Sequence, residues 1–397
     1  LELAGKDEEA REEWEVWEKK YDDSVLYTDA RIALAWNYLR AGDWRRARAT
    51  VDQISEQSSW ASTDARVVAA RAVLEFAAGD IEACLNELEA MPEPNATSTY
   101  LTALCLDAQG EVLKAAAAYQ EVFERYPESA LRDRALYAKA NTFLKGGAYR
   151  SAAEEFAMVA EISRHPELRA EAMLRRGASF FQEKNFEEAV PVLRQLVDVY
   201  PESDAAARGQ YLIGEIAMAT DDSETAIREY NRVLRDYFEH QVAASAQYRI
   251  GRCYEDLGRR AAAVSAYETV VRGYPLEAEA PPAAYLAGAG LLEMDRPLDA
   301  APYFQIVLDR YAQQPADDAV GVFKTEEQTE VVEAALCLLL LSSHRAGDLG
   351  QLSGAPNLML QKMPASNSSW RADALLLAAD ALAAQGRYDE ALASLEE

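Results

Sequence analysis

The sequence predicts an all-α protein, a solenoid of helical hairpins with a 37-residue period. Three observations lead to this fold class. Identical alanines recur at a fixed spacing, bulky apolar residues follow each alanine at helical offsets, and the sequence lacks the alternating apolar pattern of β-strands. A fixed period in this size range is typical of repeat architectures, in which each unit buries its apolar face against its neighbours.

The second helix of each predicted hairpin carries an alanine and an apolar stripe. A bulky apolar residue lies four positions after each alanine, and further apolar residues follow at offsets of seven and eight. These offsets place the side chains on one face of an α-helix. The alanines are Ala115, Ala152, Ala189, Ala226, Ala263 and Ala300.

The first helix carries a small residue twelve positions before each of these alanines. Glycine inside a helix costs about 1 kcal/mol relative to alanine, so its recurrence predicts that a second helix comes too close for a side chain. The small residues are Ala103, Ala140, Gly177, Gly214, Gly251 and Gly288.

The regularity of the period divides the chain into four segments. They are N-terminal repeats at 1–94, the first of them truncated, a regular array at 95–312, an irregular expanded repeat at 313–369, and the start of a further, truncated repeat at 370–397. Pro92 and Pro94 are expected to end a second helix early, because proline cannot continue a helix. Both ends of the sequence fall inside repeats, so we expect an excerpt of a longer solenoid.

The irregular segment is expected to contain one long helix, from about Thr325 to Arg345. It is preceded by a loop that begins at Gln313 and is long enough to serve either as a connector or as a functional element.

The charge balance narrows the class of partner. The chain has 40 Lys and Arg against 67 Asp and Glu, a net charge of −27. Such a surface repels phosphate, which argues against nucleic acid, and favours a basic protein or peptide. The longest dense apolar run, residues 334–341, is far shorter than the roughly 18–20 residues that cross a bilayer, so we expect no membrane insertion.

The four cysteines show none of the close spacings of zinc or redox motifs. Each lies in an apolar helical stretch and is interpreted as a small core residue. A disulfide between Cys84 and Cys105 remains open.

One copy of the repeat reads Gly251, Tyr254, Ala263, Tyr267 and Pro275. This order resembles the tetratricopeptide repeat, a helix-turn-helix unit of 34 residues. The three extra residues of the 37-residue period then lie after the proline. Other copies depart from the pattern, with Ala217 in place of the usual aromatic residue and Phe238 and Ala312 in place of the proline. The resemblance implies a right-handed superhelix whose first helices line a concave binding surface.

Several repeats end in Tyr-Pro followed by an extended connection, at residues 126–127, 200–201 and 274–275. This ending resembles the repeats of bacterial cell-envelope proteins, such as the Tol-Pal-associated cell-division coordinator, outer-membrane assembly lipoproteins and exopolysaccharide-export scaffolds. The resemblance implies a periplasmic or outer-membrane-associated location. Cytoplasmic bacterial repeat proteins have similar endings, so the cytoplasm is the alternative.

In the resembled family, side chains three positions before the small residue point into the concave surface. Five of these six positions here are tyrosines, which combine a rigid aromatic face with a hydroxyl group and suit the binding of a peptide or helix. The alternative is that each ring packs against a neighbouring first helix. The predicted partner-binding residues are Tyr100, Tyr137, Tyr211, Tyr248, Tyr285, Asn141, Glu215, Arg252 and Glu255.

A clamp for a peptide carboxylate, as some members of the family have, requires Lys and Asn at concave positions. Asn141 fits one such position, but its partner position holds Tyr137, and the equivalent pairs supply no lysine. We therefore do not predict this mode of binding.

The sequence offers no catalytic motif. The three histidines are isolated, and there is no HExxH pair, GxSxG turn or GxxxxGK[ST] loop. We expect a protein without enzymatic activity, cofactor or metal, acting as a protein-protein interaction scaffold within a larger, envelope-associated complex. The alternatives are a regulatory or docking arm of a larger enzyme or export machine, and a self-assembly module.

Overall fold

The computed structural model of the chain describes residues 7–20, 27–57, 63–91, 93–312, 326–347 and 369–396. The predicted all-α fold is confirmed, since these ranges form α-helices joined by short turns and contain no β-strand. The residues fall into two compact units, Leu1–Val192 and Leu193–Glu397, with the boundary inside one helix.

Consecutive helices pack against each other in both units. The first unit contains α1 (Asp7–Lys20), α2 (Tyr27–Arg40), α3 (Trp44–Gln57), α4 (Ala65–Ala78), α5 (Ile81–Glu89), α6 (Ala96–Ala108), α7 (Val112–Arg125), α8 (Arg132–Lys145), α9 (Tyr149–Ile162), α10 (Pro166–Gln182) and the start of α11 (Phe186–Val199). The second unit contains the rest of α11, α12 (Asp204–Ala219), α13 (Ser223–Asp236), α14 (Val242–Asp256), α15 (Arg260–Gly273), α16 (Ala280–Glu293), α17 (Pro297–Ala312), α18 (Glu326–Ala346), α19 (Ser369–Ala384) and α20 (Tyr388–Glu396).

The repeating alanines lie in the core of the hairpins. All six are at most 2% exposed, and the aromatic residue four positions later is buried in five of the six repeats, with Leu193 in the sixth. The predicted apolar stripe of the second helices therefore forms the contact with the first helices.

The turns inside the hairpins repeat a left-handed backbone conformation every 37 residues. Gly110, Gly147 and Gly258 have φ between +67° and +76°, and the equivalent residues of the other repeats have φ between +58° and +60°. Those residues are Lys184, Asp221 and Asp295. A left-handed residue just after a helix closes the last turn, and glycine adopts it without strain because it lacks a Cβ atom.

The shortened second helix before Pro94 is confirmed. It is α5, which has 9 residues, whereas α7 and α9 have 14 each. The long helix predicted in the irregular segment is also observed, as α18, with 21 residues. The loop beginning at Gln313 and residues 348–368 lie outside the described residues, and the four-segment division remains a prediction.

Candidate functional site

The five predicted tyrosines lie on first helices, and each is half-buried. We call them the tyrosine row: Tyr100 on α6 and Tyr137 on α8 in the first unit, and Tyr211 on α12, Tyr248 on α14 and Tyr285 on α16 in the second unit.

Each ring of the tyrosine row packs on a buried aromatic ring of the second helix of its own hairpin, nineteen residues later. The centroid distances run from 5.4 to 6.2 Å, with edge-on or tilted geometry. The pairs are Tyr100 with Tyr119, Tyr137 with Phe156, Tyr211 with Tyr230, Tyr248 with Tyr267, and Tyr285 with Phe304. One side of each ring is therefore held by its own hairpin.

In the second unit, Tyr211 of the tyrosine row belongs to a polar cluster around Glu215, which we call the Glu215 cluster. The guanidinium of Arg249, from the next first helix, donates from Nη2 to the Glu215 carboxylate at 3.0 Å and from Nε to the Tyr211 hydroxyl at 3.3 Å. The hydroxyl of Tyr230 donates to the same carboxylate. Burial raises the pKa of Tyr211 to about 12, so its hydroxyl stays protonated at neutral pH.

The following repeat has a different arrangement at the equivalent positions. Arg252 replaces Glu215, and Leu286 replaces Arg249. Arg252 forms an exposed ion pair with Glu255, at 3.2 Å between Nε and Oε2. The hydroxyl of Tyr267 is buried, and burial together with the nearby Glu255 carboxylate raises the pKa of Tyr267.

A cavity of about 270 Å³ is lined in part by Tyr267, and we call it the Tyr267 cavity. It lies between α14, α15 and α16 and exceeds the roughly 10–15 Å³ that a cavity needs to hold one water molecule. Glu293 at its edge is paired with Arg260 at 2.8 Å, and both side chains are more than half exposed. The residues that line the cavity include Glu255, Tyr267, Leu286, Ala289, Gly290 and Glu293.

In the first unit, the side chains near Tyr137 are also polar. Burial raises the pKa of Tyr137, and the neighbouring side chains of Arg175 and Asn141 act in the opposite direction. Arg175 in turn donates from Nε to Glu171 at 3.0 Å. Tyr100 has a raised pKa because of its burial, with Arg134 acting against that shift.

The structure therefore joins some of the predicted residues and leaves others apart. Tyr211 and Glu215 are linked by Arg249, Arg252 pairs with Glu255, and Asn141 lies beside Tyr137. Sequence reasoning missed Arg249, which directly follows Tyr248, and Arg175, which follows Leu174 at the equivalent position of another repeat. Glu215 lies three residues less than one period before Arg249 and carries the opposite charge. This pairing is the sequence signal that could have identified Arg249.

Within the described residues, no group of three or more His, Cys, Asp or Glu side chains could hold a metal ion. None of the helices described is both long and apolar enough to pass through a bilayer.

Comparison with known families identifies the repeats. Two models of the tetratricopeptide repeat match the chain, one at residues 211–280 and the other at residues 98–129, 171–203 and 373–397. A search of curated proteins gives no match.

Solved structures with similarity to the chain include repeat proteins of several kinds. The MamA protein is 19% identical over 49% of this chain and all of its own, with a TM-score of 0.38. A tetratricopeptide repeat protein from Parabacteroides merdae is 13% identical over 66% of this chain and 90% of its own, with a TM-score of 0.36. YrrB, described as a TPR protein with an unusual peptide-binding site, is 18% identical over 47% of this chain and 90% of its own, with a TM-score of 0.34.

Tetratricopeptide repeats are scaffolds for protein interactions and are generally not catalytic. The matched segments contain three of the five tyrosine-row residues, Tyr100, Tyr211 and Tyr248, and the whole Glu215 cluster. The repeated helical hairpins and the matched segments together show that the chain is a tetratricopeptide-repeat protein.

Proposed function

We propose that this protein is a non-catalytic scaffold that binds a peptide or protein on the concave face formed by its first helices. The tyrosine row supplies the contact surface, because its rings are already held by the aromatic residues behind them. Ordering such side chains costs little additional entropy on binding, which favours tyrosine as a contact residue.

The observation that carries this proposal is the difference between two successive repeats. In the Glu215 cluster, the guanidinium of Arg249 donates to the Glu215 carboxylate and to the Tyr211 hydroxyl. In the next repeat Leu286 stands in the place of Arg249, and the Tyr267 cavity is open there. An arginine of the partner would enter this cavity and pair with Glu255 or Glu293, the carboxylates that line it, because Arg252 stands where Glu215 stands one repeat earlier.

The charge of the chain supports a basic partner. The net charge of −27 attracts cations over the range of a Debye length, about 8 Å at physiological salt, and increases the association rate of basic proteins. The ion pairs at the cavity are exposed and therefore weak, so a guanidinium of the partner can compete for Glu255.

The proposed setting is a larger complex in the bacterial envelope, in the periplasm or at the outer membrane. The Tyr-Pro endings of the repeats support it. Fractionation of cells that express the natural gene tests this part by itself. Recovery of the protein in the cytoplasmic fraction would contradict the location and leave the binding proposal intact.

The binding proposal is tested by filling the Tyr267 cavity with a side chain of the protein itself. The probe is a library of 15-residue peptides in which each arginine-containing peptide is matched by one with arginine replaced by glutamine. We expect the chain to retain arginine-containing peptides, with an affinity that falls as salt rises. Leu286→Arg, which restores the residue type of Arg249, should reduce their binding at least tenfold.

Leu276→Arg is the matched control, since it adds the same charge at a side chain that is 78% exposed and outside the cavity. It should retain binding within about a factor of two. If no peptide binds above its glutamine-matched partner, or if both arginine variants bind as the parent chain does, this proposal is wrong.

A further inference from the structure

Two cysteines of the first unit lie next to each other in the core. Cys84 on α5 and Cys105 on α6 have their Sγ atoms 3.2 Å apart and share a hydrogen bond. Both side chains are 0% exposed and pack in one cluster with residues such as Leu88, Met91 and Leu101. The other two cysteines, Cys253 and Cys337, lie in two different hydrophobic clusters of the second unit.

The distance between the two sulfur atoms is close to what a covalent bond requires. A disulfide has an S–S length of about 2.05 Å, so the sulfurs need to approach by little more than 1 Å. Side-chain rotation of that size is compatible with two helices that already pack together.

The two thiols are also chemically unequal. The hydrogen bond with Cys84 lowers the pKa of Cys105, while the same hydrogen bond raises the pKa of Cys84. A thiol with a lowered pKa forms the thiolate more readily, and the thiolate is the nucleophile of disulfide exchange.

We propose that Cys84 and Cys105 form a dithiol–disulfide site that is oxidised by small disulfides such as oxidised glutathione. The Cys105 thiolate attacks one sulfur of the small disulfide, forms a mixed disulfide and releases one small thiolate. The Cys84 thiol then loses its proton and attacks the Cys105 sulfur, which releases the second small thiolate. Two protein thiols are thus oxidised to one cystine, and one small disulfide is reduced to two thiols.

The bond would join a short second helix to the first helix of the next hairpin. The helix α5 is 9 residues long, and the connection to α6 passes through Pro94. A link between Cys84 and Cys105 ties this short helix to its neighbour and reduces the entropy of the unfolded chain. Because both sulfurs are buried, oxidation requires a local opening of α5 or takes place during folding.

The site is tested on the native chain at a series of ratios of oxidised to reduced glutathione. After equilibration, free thiols are alkylated under denaturing conditions and counted by mass spectrometry, followed by peptide mapping. We expect two of the four thiols to be lost together, with one cross-linked peptide pair that contains Cys84 and Cys105, and to be recovered with dithiothreitol. The thermal midpoint of the oxidised chain should be higher than that of the reduced chain.

Two variants separate this result from general cysteine oxidation. Cys253→Ser with Cys337→Ser should still form the cross-link, while Cys84→Ser should lose it and retain a glutathione adduct on Cys105. Four free thiols at every ratio, or a cross-link that involves Cys253 or Cys337, would overturn the proposal. The outcome is independent of partner binding, because both cysteines are fully buried.

Discussion

The ring of Tyr267 occupies the space that a side chain on Gly251 would fill. A Cβ atom added to Gly251 would overlap Cε1, Cδ1 and Cζ of that ring. The same relationship holds between Gly214 and Tyr230 and between Gly288 and Phe304, where the nearest ring atom is 2.8 Å from the added Cβ atom. The glycines of the first helices thus leave the space that the aromatic rings of the second helices fill.

We predict that Gly251→Leu lowers the free energy of unfolding by about 1–3 kcal/mol, because the ring of Tyr267 is buried and cannot move aside without disturbing the core. Thermal or urea unfolding, followed by circular dichroism, measures the change. The control is Gly273→Ala at the end of α15, where an added Cβ atom has no neighbour within 4 Å. The control should leave stability unchanged or raise it by up to about 1 kcal/mol. Equal effects of both variants would count against this packing.

The left-handed turn residues lead to a stabilising prediction. Lys184 has φ of 60° at the position where Gly110, Gly147 and Gly258 stand in other repeats. A residue with a Cβ atom pays about 1 kcal/mol or more for this conformation, so Lys184→Gly should raise the free energy of unfolding by roughly 0.5–1 kcal/mol.

Lys184→Ala serves as the control for the turn, because it removes the same charge and keeps the Cβ atom. It should show no gain in the same thermal scan. A gain of equal size for alanine would mean that the lysine side chain, and not the backbone, is responsible.

The hairpins could be predicted from sequence because their signals are local. Alanine at one offset and an aromatic residue four positions later determine which face of the second helix is buried, and Ala263 with Tyr267 follows that rule. Glycine at 251 indicated a close approach, although the sequence did not reveal that a ring of the same hairpin fills the space.

The polar contacts of the site could not be predicted in the same way. Arg249 reaches Glu215 only because successive first helices lie side by side at a particular angle and register, which the repeat spacing does not specify. The Tyr267 cavity was harder still to predict from the sequence. It is lined by Leu286, a short apolar residue at the position that Arg249 holds in the preceding repeat.

The tyrosine row gives a prediction about binding. Tyr211→Ala combined with Tyr248→Ala should weaken the binding of arginine-containing peptides at least tenfold, because aromatic contact residues commonly contribute more than 1 kcal/mol each. Helicity measured by circular dichroism should be unchanged. Isothermal titration calorimetry with a peptide from the library gives the affinity.

Two further variants separate contact from packing. Tyr211→Phe with Tyr248→Phe retains the ring contacts with Tyr230 and Tyr267 and removes only the hydroxyls, so stability should be preserved and any loss of affinity belongs to the hydroxyls. Tyr388→Ala removes a tyrosine that is 66% exposed and outside the row, and it should bind as the parent chain does. Unchanged affinity in the double alanine variant would mean that the row only packs.

A buried carboxylate in the second unit is held by several donors. Glu229 is 4% exposed and accepts hydrogen bonds from Arg194 at 2.7 Å and from Gln210 at 2.9 Å. Burial alone would raise its pKa, but these donors and the nearby Arg232 outweigh it, so the pKa of Glu229 lies below its usual value.

A carboxyl group with a lowered pKa in the folded protein stabilises the fold above the unfolded value, about 4.3, and that contribution is lost as the pH falls through the folded value. We therefore expect Glu229→Gln to unfold more easily than the parent chain at pH 7, by about 3 kcal/mol, because Arg194 and Arg232 lose their common partner. The difference between the two chains should shrink as the pH falls from about 4.5 to 2.

Urea unfolding at a series of pH values measures this difference, and Glu224→Gln accounts for the general effect of removing one negative charge. Glu224 is 58% exposed and forms an exposed pair with Arg259, so its loss should change stability by less than about 1 kcal/mol. A gap between parent and Glu229→Gln that stays constant down to pH 2 would show that the Glu229 charge does not provide the stabilisation. The difference would then come from the amide group of glutamine, which has one acceptor oxygen fewer for Arg194 and Arg232.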